Sequence, residues 1–204
     1  MSSFANKLPA GILFLAVLFL GCGSVNAQTN LLLNTGAEDG TNHWQFSPQS
    51  SVENFNGQNV FVIRRTEDRP SGGFGQDVTL KPADQGKFAL FIGFGSSERV
   101  NVDGAITGLP YLYGYMMEST NPNGGVIKAH LQGQRMLGKS SKADEWVKMY
   151  GVFKVPDGTV GIRFFLEQAS RKGVPYDGSA ARFDNVGLYL FETEKQALDF
   201  ARVF

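Results

Sequence analysis

Apolar and polar residues alternate in short runs along most of this chain, which is the period of a half-buried β-strand. One of the clearest runs covers residues 160–167. Its members predicted to face inward are Val160, Ile162, Phe164 and Leu166. Its members predicted to face outward are Arg163, Phe165 and Glu167.

Turn signals separate about ten such runs. Asn56-Gly57 is a typical hairpin turn, and Pro156-Asp157-Gly158 is another turn between apolar runs. No helical period is sustained before residue 192. The pattern predicts an all-β fold, a two-sheet antiparallel β-sandwich spanning residues 28–191. The tail 192–204 is predicted to form a short helix or a frayed end.

The stretch 30–40 organises the prediction. It begins with a short apolar run that indicates a strand, and it continues into a turn rich in Asn, Gly and acidic residues. We expect this run to pair with the last strand, residues 181–190. The first and the last of these segments then each contribute a carboxylate, and the two carboxylates together can bind a hard cation.

Composition supports the β assignment and excludes one class of partner. The chain has 17 Phe and 25 Gly, and such residues suit pleated surfaces and turns. The net charge is zero, so nothing indicates electrostatic capture of nucleic acid.

Residues 1–27 have the features of a signal peptide: Lys7, an apolar run too short to span a bilayer, and the small residues before Gln28. An alternative is lipidation at Cys22, although Phe19 and Leu20 fit a lipobox poorly. Cys22 is the sole cysteine, so no intrachain disulfide can form. We therefore expect export, to the outside, the periplasm or the cell surface, without a transmembrane segment.

Several segments together resemble a known family. The opening stretch 30–40 is similar to the start of the CenC-type carbohydrate-binding modules, which belong to the galactose-binding-like β-jelly rolls. Trp44 stands where that family has an early Trp, and 146–156 is similar to its late Trp-to-Pro motif. Arg182-Phe183-Asp184-Asn185-Val186-Gly187-Leu188 resembles its closing motif. Ala37 departs from the pattern, since the family has an aromatic residue there.

The resemblance implies a structural calcium ion bound by Glu38 and Asp184. Calcium takes ~6–8 oxygen ligands, including carboxylates and backbone carbonyls, and the carbonyls would come from 57–59 or 85–87. In the competing interpretation, Glu38 caps a turn and Asp184 accepts backbone N–H bonds.

The resemblance also implies a carbohydrate ligand. Outward residues on two strands form a candidate polar floor: Lys128, His130, Gln132, Arg163, Phe165 and Glu167. Tyr111, Tyr113 and Tyr115 share one face of a strand and can add stacking surfaces, or they belong to the core. Trp44 and Trp146 are assigned to packing, which leaves no Trp for a flat platform and favours a cleft.

The sequence therefore predicts a secreted, non-catalytic carbohydrate-binding module with structural calcium. The alternative is a structural or adhesive protein-interaction domain that binds no sugar. A glycan-active hydrolase is a third option, but no nucleophile elbow, phosphate loop or paired histidine at metal spacing supports catalysis.

Overall fold

The computed structural model describes residues 28–99, 108–118, 136–137, 142–170 and 174–204. The predicted leader at 1–27 and the predicted strand at 126–132 lie outside these residues. The described part of the chain contains no helix long and apolar enough to cross a membrane.

Within the described residues, ten antiparallel strands form two five-stranded sheets, so the predicted sandwich is confirmed. Sheet A has the order β1 (Gln45–Phe46), β4 (Gly73–Thr79), β9 (Gly161–Ala169), β6 (Leu109–Met117), β7 (Met136–Leu137). Sheet B has the order β2 (Ser50–Phe55), β3 (Gln58–Ile63), β10 (Ala181–Phe191), β5 (Phe88–Ser97), β8 (Val147–Lys154). Asn56 and Gly57 both have positive φ, 54° and 88°, as the predicted hairpin turn between β2 and β3 requires.

The core between the sheets is built on aromatic rings. Its fully buried phenylalanines are Phe61, Phe74, Phe91, Phe164 and Phe183. Trp44 packs among them, with its ring centroid 5.2 Å from that of Phe61, so the assignment of Trp44 to packing is confirmed. Trp146 is half-buried and packs against Phe55 on the opposite side of sheet B, outside this core.

The opening stretch lies against β10, as predicted. The Leu31 amide donates to the Leu188 carbonyl over 2.9 Å, and the Val186 amide donates to the Thr35 carbonyl over 3.0 Å. However, residues 31–34 form a bend and not the predicted strand. The reason is that the Leu33 amide donates to Gln76 Oε1 and the Leu33 carbonyl accepts from Gln76 Nε2. These two backbone groups are therefore not used for hydrogen bonds with a neighbouring strand.

The tail forms helix α1 (Glu194–Val203), which confirms the predicted helix. Thr193 caps its first turn and accepts the Gln196 amide. The helix covers the outer side of sheet B, where Leu90 and Ile92 are fully buried. Strand β5 is therefore buried on both faces.

Three local predictions are wrong. Val160 is predicted to face inward but is 39% exposed, because β9 begins one residue later. The alternation of Trp44 and Phe46 in the sequence predicts a half-buried strand over 41–46, but the strand there has only two residues and Phe46 lies exposed at the sheet edge. Gly151 interrupts the apolar run 146–155 and so predicts a bulge there, but the β5–β8 pairing is regular at Gly151. Among the described strands, the pairing of β10 with β5 shifts register between Asp184 and Gly187.

Candidate functional site

The outer face of sheet A carries the predicted ligand-binding residues that the structure describes. Ile162, Phe164 and Leu166 point into the core, so Arg163, Phe165 and Glu167 point outward as predicted. Strand β6 alternates in the same way. Its core positions are Leu112, Gly114 and Met116, and its outward positions are Tyr111, Tyr113 and Tyr115.

Four aromatic rings form a cluster on this face. The rings of Tyr113 and Phe165 stack at 4.8 Å with an interplanar angle of 12°. Tyr111 stacks on the other side of Tyr113 at 5.5 Å, and Tyr115 meets Phe165 edge-on at 5.6 Å. Tyr111 is only 5% exposed, whereas the other three rings are half-buried. We call Tyr111, Tyr113, Tyr115 and Phe165 the aromatic face.

Glu167 holds the tyrosine hydroxyls. Tyr111 donates to Glu167 Oε2 over 2.5 Å, and Tyr113 donates to Oε1 over 2.7 Å. Both hydroxyls give their hydrogen to Glu167, and the Tyr113 hydroxyl also has a hydrogen bond with Tyr115. Burial, followed by the hydrogen bond to Glu167, raises the pKa of Tyr113, so this hydroxyl keeps its proton at neutral pH.

Arg65 anchors Glu167 from below, with Nη2 2.9 Å from Oε2. The Arg65 side chain is only 7% exposed. Its other donors bond the carbonyls of Gly72 and Gln168 and the Tyr176 hydroxyl. Burial lowers the pKa of Arg65, but the hydrogen bonds to Glu167 and Tyr176 outweigh this and raise it. The guanidinium is thus a fixed positive charge beneath the face.

Arg163 forms a second ion pair on the same face. Its Nε and Nη2 atoms each lie 2.5 Å from one carboxylate oxygen of Asp77. Arg163 stands between Asp77 of β4 and Tyr115 of β6 in the register of the sheet. Two parallel bonds of this kind fix the orientation of both side chains.

A trough runs beside the aromatic face, where β4 has glycine at alternate positions. Gly73 lies opposite Glu167, and Gly75 lies opposite Phe165. A Cβ atom at Gly75 would stand 3.3 Å from the Phe165 ring, so this ring lies beside the glycine. The trough has a volume of about 280 Å³. Its lining includes Gln45, Ser47, Gly73, Gly75, Phe165 and Glu167.

The structure thus brings five predicted ligand-binding residues together: Tyr113, Tyr115, Arg163, Phe165 and Glu167. The other three, Lys128, His130 and Gln132, lie outside the described residues. Sequence reasoning missed Arg65, Asp77 and the glycine floor. The floor had a signal in Gly73-Phe74-Gly75, because glycines at alternate positions of a strand allow another group to approach the backbone closely.

The predicted metal residues also come near each other. Burial raises the pKa of Asp184, the Asn185 amide opposes this, and the negative charge of Glu38 raises it further. Gly36 lies against Asp184, since a Cβ there would stand 3.4 Å from Oδ1. Asp184 also accepts the Asn185 amide over 2.7 Å, as in the competing interpretation.

Glu38 and Asp184 would supply some of the oxygen ligands that a calcium ion needs, but not all of them. Burial and the negative charge of Glu38 disfavour the ionised form of Asp184, and a bound cation would offset both effects. Among the described residues, no three His, Cys, Asp or Glu cluster in a way that could hold a metal, so other ligands would have to be carbonyls or water. Phe61 of β3 pairs with Phe183 beside Asp184, which brings the hairpin at 57–59 toward this end of β10.

Neither family models nor curated proteins yield a match to this chain. Solved structures share its fold. A family 16 carbohydrate-binding module matches with a TM-score of 0.50 and 19% identity, over 78% of this chain and 99% of that one. A protein of Bacteroides thetaiotaomicron described as sugar binding matches with a TM-score of 0.52 and 12% identity, over 79% and 99%.

The tailspike protein 4 of bacteriophage CBA120, in a domain described as enzymatically active, matches with a TM-score of 0.50 and 12% identity. The match covers 79% of this chain and 21% of that one, so this chain spans about a fifth of its length. All three likenesses are likenesses of fold. The narrower resemblance to CenC-type modules stays a prediction.

Proposed function

We propose that this chain is a non-catalytic carbohydrate-binding module that binds a glycan on the outer face of sheet A. The observation that carries the proposal is the stacked pair Tyr113 and Phe165, with the Tyr113 hydroxyl fixed by Glu167. Sugar sites combine apolar surface with a few placed polar groups. The aromatic face supplies the first, and the tyrosine oxygens, Glu167 and the Arg163–Asp77 pair supply the second.

The known structures that share this fold support the same ligand class. One is described as a carbohydrate-binding module and another as sugar binding. The aromatic face lies on a sheet surface that no described helix covers, whereas α1 packs on the opposite sheet. The covered sheet is therefore the scaffold in this proposal, and the open sheet is the binding surface.

Charge pairing on this face favours binding over hydrolysis. A glycosidase uses two carboxyl groups, one of which must donate a proton. Both carboxylates described above on this face are held by arginines, Glu167 by Arg65 and Asp77 by Arg163. Carboxylates engaged in these bonds act as hydrogen-bond acceptors, whereas the acid of a glycosidase has to direct a proton at the substrate.

We also propose that a calcium ion joins Glu38 and Asp184 and has a structural role. Glu38 lies in the opening stretch and Asp184 in β10, so the ion would tie the two segments that close the sandwich. Calcium there would supply positive charge to a site where burial and a second carboxylate disfavour the ionised form of Asp184.

Export is part of the proposal, because residues 1–27 have the pattern of a leader. N-terminal sequencing of the chain recovered outside the cytoplasm is expected to begin at Gln28. A chain that begins at a lipidated Cys22 would support the alternative processing, and a chain that keeps residues 1–27 would contradict the leader.

Affinity electrophoresis through gels containing soluble polysaccharides tests the proposed function. We expect at least one polysaccharide to retard the protein, and we expect Phe165→Ala and Tyr113→Ala to weaken binding at least ten-fold. Phe55→Ala is the matched control, because Phe55 is a half-buried aromatic residue associated with sheet B. Wild-type affinity in Phe165→Ala, or no retardation by any polysaccharide, would overturn the proposal and favour the protein-interaction alternative.

A further inference from the structure

The trough beside Phe165 has two different sides. Strand β9 lies between β6 and β4 in sheet A. Tyr113 of β6 covers one face of the Phe165 ring, and the glycine floor of β4 lies on the other side of β9. The ring face turned away from Tyr113 therefore borders the trough.

The opposite side of the trough is formed by Gln45, Phe46 and Ser47. Gln45 of β1 pairs directly with Gly75, so its side chain lies on the outer face in the same row as Phe165. Gln45 is exposed. Its amide can donate and accept hydrogen bonds. Gly75, which has no side chain, lies between Gln45 and Phe165 in the sheet.

The trough is short. Gly73 and Gly75 are two residues apart along a strand, which is a length of about 7 Å. Its volume of about 280 Å³ lies just below the range of ~300–1,000 Å³ that is typical for drug-sized ligands. One sugar ring suits this space better than a run of several.

No positively charged side chain is among the described residues that line the trough. Among the described residues that line it, Glu167 is the charged one. Arg65 lies beneath, and its donors are already directed to Gly72, Gln168, Tyr176 and Glu167. A carboxylated sugar would bring its charge against Glu167 without a described cation to receive it.

Resting on the proposed function, we infer that the trough is a subsite for a single neutral sugar ring. The ring stacks on Phe165, and its hydroxyls bond Gln45 on one side and Glu167 on the other. Gly73 and Gly75 keep the floor low enough for the ring to enter. The ligand class is therefore neutral glycans, in preference to polymers of uronic acids.

The test compares neutral polymers (xylan, galactan and β-glucan) with polygalacturonate and alginate in the same electrophoretic assay. We expect the wild-type protein to bind at least one neutral polymer ten-fold or more tightly than either uronate polymer. Gln45→Ala should weaken that binding about ten-fold. Gln58→Ala is the control, because Gln58 is an exposed glutamine on β3 of the other sheet. Gly75→Val should abolish binding, with thermal unfolding reporting whether it folds.

The outcomes separate this inference from the proposed function. Loss of binding in Phe165→Ala, with wild-type affinity in Gln45→Ala, would overturn the assignment of the trough as a sugar subsite and leave the aromatic face as the binding site. Uronate polymers bound as tightly as neutral ones would overturn the neutral ligand class. No binding of any polymer by the wild-type protein would overturn the proposed function, and this inference with it.

Discussion

The Arg65–Glu167 pair predicts the effect of a single isosteric substitution, Glu167→Gln. The change keeps the size of the side chain and removes its negative charge. Arg65 then stays buried without its ionic partner, with a side chain only 7% exposed. The amide also replaces one acceptor oxygen by a donor, so one of the hydroxyls of Tyr111 and Tyr113 loses its acceptor.

The magnitude follows from the burial of the pair. Removing one partner of a buried ion pair costs about 3–5 kcal/mol. Glu167 is 18% exposed, and Arg65 keeps its bonds to the carbonyls of Gly72 and Gln168, so the low end, about 3 kcal/mol, is expected. For a chain of this size, 1 kcal/mol corresponds to ~2–4 °C in Tm. The expected decrease in Tm is therefore about 6–12 °C.

Calorimetry on purified variants measures this decrease. Asp77→Asn is the matched control, since it makes the same carboxylate-to-amide change in the more exposed pair with Arg163, whose side chains are 37% and 19% exposed. Exposed pairs contribute about 0–1 kcal/mol, so Asp77→Asn should change Tm by a few degrees at most. If Glu167→Gln destabilises the protein no more than Asp77→Asn, the reasoning about the buried pair is refuted.

Four further measurements test the proposed calcium ion, the buried titratable groups and the packing of α1. Calcium at a hundred times its Kd should raise the free energy of unfolding by about 2.7 kcal/mol, and Asp184→Asn should remove the effect; an unchanged Tm after EGTA contradicts the ion. Because burial raises the pKa of Asp184, metal-free protein should gain stability as pH falls through that raised pKa toward the ordinary value, whereas calcium-loaded protein should lose stability over the same range. Burial also raises the pKa of Tyr113 and Tyr189. Their contribution to the free energy of unfolding is therefore present below the ordinary tyrosine pKa of ~10 and is lost as pH rises through the pKa values of the folded state. Near-ultraviolet titration should show both side chains still protonated at about pH 10, and full ionisation there would contradict their burial. Phe200→Ala should cost about 3 kcal/mol in denaturant unfolding, because its ring lies 4.7 Å from Tyr189, whereas Val203→Ala at an 84% exposed position should have almost no effect.

The alternation of side chains was sufficient to predict the sandwich and one strand of its site. In β9 the apolar residues Ile162 and Leu166 are buried and Phe165 faces outward, because a two-residue period fixes which face each side chain occupies. The same rule misplaced Val160, which precedes the first paired residue of the strand. Alternation describes a strand and does not define its ends.

Contacts between distant residues could not be read from the pattern. Arg65 and Glu167 are 102 positions apart, and nothing in either neighbourhood indicates the partner. Likewise, β5 is buried on both faces because α1 packs on it, which depends on the fold of the tail. The opening stretch was placed correctly against β10, although its backbone bonds to Gln76 prevented the strand that its apolar run predicts.

A nuclear magnetic resonance titration of the backbone amides with oligosaccharides of xylan, galactan and β-glucan, each added in turn, shows which surface of the protein binds glycan. We expect the oligosaccharide that binds to shift the amides of β4, β6 and β9, with the largest changes at Gly75, Tyr113 and Phe165. Shifts confined to sheet B or α1 would contradict the claim that the outer face of sheet A is the binding surface.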